Sequence, residues 1–293
     1  MGGNLSWFAM ACIRLPSTAS VAALLAIGCA TVEVGDLSTP MPVPSGSCVT
    51  IGFLGGLDRW NDASKAARSL ALELRDPAGR EYAETFENRR LDVALAFVLR
   101  ALDSDGDGAL TAAERGRARW VVYGQSLGGG SAVALAWRLE SIGVPVELLV
   151  LLDSVSWFDE PIPPNVRLAA ALYQDEGWVI RGESDPRLAD PRRTQRILEE
   201  FDYDRPPGST ISLRGLPWTK LVLRVAHSRM DRDPRVWQRA RYLARAACQG
   251  PGIATATSAS SPTLRTAGPS PPADGSPPDE SWTTSSRSRS RTR

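Results

Sequence analysis

Histidine is almost missing from this chain: there is one in 293 residues, His227. Cysteine is scarce too, with four, and none of them stands at zinc-type spacing. Zinc-finger and His-rich metal chemistry are therefore excluded, and any imidazole-dependent reaction has a single carrier. Net charge is also lacking. Lys and Arg total 34 against 33 Asp and Glu, a formal +1, so no field of one sign draws the chain to nucleic acid or to an anionic membrane surface. No internal repeat is present. The remainder, 43% hydrophobic and 23% charged, is ordinary for a globular protein, and the length suits one large domain or two small ones.

Both ends stand outside the fold expected for the middle. Arg14 precedes the apolar stretch "STASVAALLAIGCATV", which is too short for a comfortable membrane span and fits the apolar region of a signal peptide. No acidic residue occurs before Glu33, and Met10 is an alternative start. "LAIGC" resembles a bacterial lipobox, with Cys29 as the lipidated residue and Ala26 where a larger aliphatic is usual; cleavage after Ala30 is the competing reading. Residues 1–30 are thus expected to be a targeting segment, which implies an exported, periplasmic, envelope-anchored or extracellular protein. From 250 to 293 the chain is dominated by Pro, Ser, Thr and Gly, with little to bury, and a disordered tail is expected. Cys48 and Cys248 bracket the middle; an exported protein could pair them or leave both free.

Between them, strand-like and helix-like runs alternate. "CVTIGF", "REYAETF", "RWVVYG", "VPVELLVLLD" and "TKLVLRVAH" read as strands, and four amphipathic stretches read as helices. The last helix has Asp233 at its cap and Pro234 at its first position. This alternation predicts an α/β fold over 31–249: a mostly parallel sheet with helices on both faces, whose chemistry sits at the carboxyl ends of the strands. The stretch from Trp157 to Trp218 is expected to form a cap or pocket wall.

Gly124-Gln125-Ser126-Leu127-Gly128 fits the G-x-S-x-G turn between a strand and a helix, which holds a serine in a strained conformation at a helix N-terminus. His227, after "KLVLRVA", is the one available base. Asp153 ends "ELLVLLD" and is the preferred acid; Asp185, in "WVIRGESDP", is its rival. The oxyanion of an acyl-transfer reaction needs two N–H donors. Leu127 supplies one, and "GFLGG" after the first strand supplies the other, from Phe53 or Leu54.

These pieces, "GFLGG", "GQSLGG", "LLDSV" and "VAH" in the order Ser, Asp, His, resemble the α/β-hydrolase superfamily over about residues 48–249, with the acid placed as in its thioesterase branch. The resemblance implies a serine hydrolase of esters or thioesters with a small-molecule or lipid-like substrate and no organic cofactor. It departs from the family in having Ile51-Gly52 where a His-Gly pair is usual, and in lacking chain for the two strands that normally come first.

Residues 103–114, "DSDGDGALTAAE", match the EF-hand loop position by position. Asp103, Asp105 and Asp107 offer carboxylates, Gly108 the turn, Ala109 its carbonyl, Thr111 the ninth position and Glu114 the bidentate ligand. A lone loop in an exported protein points to a structural Ca2+ staple. Two other readings remain open: a non-catalytic calcium-binding envelope protein on a hydrolase-like scaffold, and a calcium sensor.

Overall fold

The computed structural model describes residues 37–155, 160–176, 181–203, 211–215 and 225–250. The targeting segment with Cys29, and all of the 250–293 tail except Gly250, lie outside the described residues. None of the described helices is long and apolar enough to cross a membrane.

The chain runs β1 (Ser47–Leu54), α1 (Ala66–Leu74), β2 (Glu81–Glu87), α2 (Leu91–Leu102), the single turn α3 (Ala112–Arg115), β3 (Ala118–Gln125), α4 (Leu127–Ser141), β4 (Val146–Leu152), β5 (Val166–Tyr173), β6 (Gln195–Glu200), α5 (Val225–Arg232) and α6 (Pro234–Gln249). The six strands among the described residues form one sheet in the order β2-β1-β3-β4-β5-β6, and every pairing is parallel. The fold class is α/β.

The alternation of side chains along each strand builds two cores. Val49, Ile51, Phe53, Trp120, Val122, Leu149 and Leu151 face α2 and α4 on one side. Leu54, Val121, Tyr123, Leu148, Val150 and Leu152 face α1 and α6 on the other. The apolar run Leu148–Leu152 of β4 follows from this, because a strand covered on both faces has no solvated side to alternate with. At the start of α6, the Asp233 side chain accepts from Arg235 N–H and Pro234 takes the first turn, where no N–H is needed.

Cys48, in β1, and Cys248, near the end of α6, are joined by a disulfide with Cα atoms 5.4 Å apart. Closing a loop of 200 residues removes denatured-state entropy worth at most about 5 kcal/mol.

Two sequence expectations are corrected here. The 157–218 stretch, expected as a cap or pocket wall, contributes β5 and β6, the two outermost strands on that side among the described residues. β5 reads "VRLAAALY", where alanine lowers the strand signal; the strand forms because it lies against β4 on the covered part of the sheet. "TKLVLRVAH" is not a strand through to its histidine. Val225, Ala226 and His227 begin α5, and 216–224 lie outside the described residues.

The sheet order places a switch point between β1 and β3. From β1 the chain turns outward to β2, then crosses back to lay β3 on β1's other side. The loops leaving β1 and β3 therefore diverge to opposite faces and open a crevice at the carboxyl ends, the usual location of a site in such sheets.

Candidate active site

β3 delivers Ser126 to that crevice. Its backbone has φ 55° and ψ −123°, a region that costs a residue with a Cβ about 1–3 kcal/mol. Neighbouring groups hold it there. Ser126 N–H donates to Leu152 O at 2.9 Å, and its carbonyl accepts from Gly129 N–H at 3.0 Å and Val155 N–H at 3.2 Å. A Cβ on Gly124 would lie 2.2 Å from Gly128 O, and one on Gly128 would lie 2.3 Å from Phe53 O. The two glycines of the turn are thus required by the approach of one backbone to another. Leu127 opens α4, so its N–H has no partner within the helix and points out of the N-terminus beside the serine.

β4, next to β3, delivers Asp153 one residue past its end. Asp153 is buried, also has positive φ (44°), and is pinned by its N–H to Leu172 O at 2.7 Å. Its Oδ2 lies 2.6 Å from His227 Nδ1. Gln174, fully buried just beyond β5, donates from Nε2 to both carboxylate oxygens at 3.3 and 3.4 Å. A proton on His227 Nδ1 directed at the carboxylate fixes the tautomer that leaves Nε2 as an acceptor. Serine and histidine are both buried to about the same degree, each 8% exposed. Among the described residues, Ser126 Oγ makes no hydrogen bond to His227. Such bonds are often long without substrate and tighten when it binds.

Asp185, the rival acid, is far more exposed and pairs with Arg196. The structure brings Asp153, and not Asp185, to the histidine.

The oxyanion assignment to Phe53 is corrected. Phe53 lies inside β1, paired with Phe86 and Gly124, with its carbonyl against Gly128. The adjacent Leu54 carbonyl accepts from Asn88 on the β2 side at 3.1 Å, so by strand alternation Phe53 faces β3 and its N–H enters the ladder. The same alternation turns Leu54 N–H toward β2. The next residue, Gly55, is the first one free of the ladder. A Cβ on it would lie 2.3 Å from Gln125 Oε1 and 3.0 Å from Ser126 Cβ, so its backbone lies against the serine. Sequence reasoning missed Gly55 by ending the strand too early. The signal available was that a long apolar β1, buried at all eight positions, runs through "GFL".

At the other end of β3, the 103–114 loop forms. Asp103 accepts from Gly106 and Gly108 N–H at 2.8 and 3.1 Å, Asp105 from Asp107 N–H at 3.2 Å, and Asp107 from Ala109 N–H at 2.8 Å. Glu114 and Thr111 make a reciprocal capping box on α3. Carboxylate oxygens of Asp103, Asp105 and Glu114 lie within 4.8 Å of one another; Asp107 is outside that group. The N–H groups of Thr111 and Ser104, together with both hydroxyls, hold the Glu114 carboxyl down to about 2. It is therefore anionic throughout the neutral range. Three converging carboxylates, with a glycine of φ 79° at the sixth position, offer part of the oxygen set that Ca2+ takes.

No family model and no curated protein matches the chain. Among solved structures it is similar to the RedJ thioesterase of the prodiginine biosynthetic pathway in Streptomyces coelicolor, at 11% identity over 64% of this chain and 88% of that one, with a TM-score of 0.35. It is also similar to a dienelactone hydrolase from Anabaena variabilis, at 14% identity over 70% and 88%, with a TM-score of 0.36. A cutinase-like protein from a Cryptococcus species aligns at 12% identity over 70% and 98%, with a TM-score of 0.32. Identities and scores this low carry nothing about chemistry, which rests on the distances above.

Proposed function

We propose that the chain is a serine hydrolase of carboxylic esters or thioesters. The observation that carries this reading is the buried 2.6 Å contact between Asp153 and the sole histidine, formed at the strand end next to Ser126. In this reading His227 Nε2 takes the Ser126 proton as Oγ attacks the acyl carbonyl. Negative charge gathers on the carbonyl oxygen and is met by the N–H groups of Leu127 and Gly55. His227 returns the proton to the departing alcohol or thiol, leaving an acyl-serine. Water, deprotonated by His227, then releases the acid and restores the serine.

The 103–114 loop is assigned a structural Ca2+, held by Asp103, Asp105, Asp107, the Ala109 carbonyl, Thr111 and Glu114. A bound cation there would neutralise the converging carboxylates and tie α2 to the start of β3. Export is supported by the disulfide, since such bonds persist in oxidising compartments. Attachment through a lipidated Cys29 remains part of this reading, and mass spectrometry of the mature N-terminus tests it.

The deciding experiment is fluorophosphonate labelling of the full chain, followed by peptide mapping. Labelling at Ser126, with hydrolysis of p-nitrophenyl esters or acyl thioesters that disappears in Ser126→Ala, is expected. An unlabelled Ser126 would leave the non-catalytic calcium-binding reading in its place.

A further inference from the structure

Asn88 follows β2 and has no part in the reaction as written above. Its side chain nevertheless reaches the turn after β1. Nδ2 donates to Leu54 O at 3.1 Å and to Gly56 O at 2.5 Å. Two carbonyls demand a donor, so the nitrogen faces them, and both of its hydrogens are spent there. The residue between the two carbonyls is Gly55.

The geometry of one peptide unit gives this contact its meaning. The Leu54 carbonyl and the Gly55 N–H belong to the same trans peptide and point in opposite directions. Holding the carbonyl toward Asn88, on the β2 side, turns the N–H toward β3, where Ser126 lies. The second contact, at the Gly56 carbonyl, fixes the Gly56–Leu57 peptide, so the turn is held on either side of Gly55. The Asn88 main chain is anchored in turn: its carbonyl accepts from Ser131 Oγ of α4 at 2.6 Å. α4 is the helix whose first N–H, that of Leu127, is the other donor to the oxyanion. One residue therefore links the two halves of the hole, which come from separate parts of the chain.

We propose that Asn88 is a positioning residue for acyl transfer, aiming the Gly55 N–H at the oxyanion by clamping the carbonyls on either side of it. This rests on the serine-hydrolase reading. Gly-Gly turns are loose, because neither residue has a Cβ to restrict it. A donor contributes to the transition state only if it is already aimed, and a small displacement costs as much as a lost bond.

The test uses the full disulfide-bonded chain with Asn88→Asp, similar in shape but with no donor at neutral pH, and Asn88→Ala. Removing an oxyanion donor outright lowers kcat by about 10²–10³-fold, so an unaimed one is expected to lower it by about 10–100-fold. KM should stay within about threefold, because the bond strengthens only in the transition state. Affinity for an aryl boronic acid, whose adduct with serine carries the same oxyanion, should fall by the same factor as kcat. A folded variant with wild-type kcat, or a loss of kcat matched by KM while boronate affinity holds, overturns the proposal. If neither variant melts cooperatively, the wild type decides. Both Asn88 side-chain amide protons should be protected from exchange; free exchange with solvent would mean that no clamp exists. The two readings fail differently. An unlabelled Ser126 in the wild type removes the enzyme and this inference together, whereas a labelled Ser126 with indifferent Asn88 variants removes this inference alone.

Discussion

The two ends of β3 are built on different principles. At its amino end, the partners of the 103–114 carboxylates lie within the loop itself: Asp103 is bonded from Gly106 and Gly108, Asp107 from Ala109, and Glu114 from Thr111 and Ser104. At its carboxyl end the partners are far apart in sequence. Ser126 is held by Leu152, Asp153 by His227 across 74 positions, and the Gly55 turn by Asn88. Eight residues of strand, about 26 Å, separate the two ends. The loop's hydrogen bonds close within itself, while the serine site exists only when the sheet is assembled.

That contrast predicts which end each perturbation should reach. The largest effect is expected from Ser126→Ala, which should lower kcat by more than about 10⁴-fold. Its melting temperature and calcium titration should match the wild type; a change at the calcium end would break the separation. Asp153→Asn should cost about 10⁴-fold in kcat, because the asparagine amide favours the wrong histidine tautomer. Asp185→Asn should leave kcat as it is, and steady-state assays of the pair settle which acid serves. Cys248→Ser acts on the scaffold beneath both ends. Denaturant unfolding should show a loss of about 2–5 kcal/mol, with kcat at 25 °C nearly retained. Calcium removal by chelation should be the mildest. Melting is expected to fall by a few degrees, at about 2–4 °C per kcal/mol for a domain of this size, with little change in kcat well below the transition. A chelated sample that loses kcat while still folded would show the two ends to be coupled along the strand.

The same contrast explains what the sequence revealed. The 103–114 loop was legible as a pattern because its hydrogen bonds are local, although Asp107 accepts from Ala109 and lies outside the group formed by Asp103, Asp105 and Glu114. The strand-to-helix serine turn was legible because both flanking glycines are dictated by contacts within the turn and with β1. Asp153 could be picked out over Asp185 as the end of a strand buried everywhere but at Glu147, and the structure places it against the histidine. His227 was identified because it is alone, but its setting was misread: the apolar run before it suggested a strand, and a helix carries it. β5 and β6 were hidden because alanine in one and charge in the other mask the period that marks a strand. Neither Phe53 nor Leu54 can be the donor for a reason no pattern contains, since the direction of an N–H depends on which strands flank it.

The disulfide has a consequence for how the molecule comes apart. Among the described residues, Cys48 and Cys248 enclose all of the strands but Ser47, all of the helices but Gln249, and all the residues assigned to either site. Covalently, that span is a ring. A protease that cuts it once, at any loop, opens the ring without releasing a piece, and the two parts travel as one molecule until a reductant is added. Nicked protein of this kind would pass a non-reducing gel unnoticed, with Ser126, Asp153 and His227 still bound to a single covalent frame.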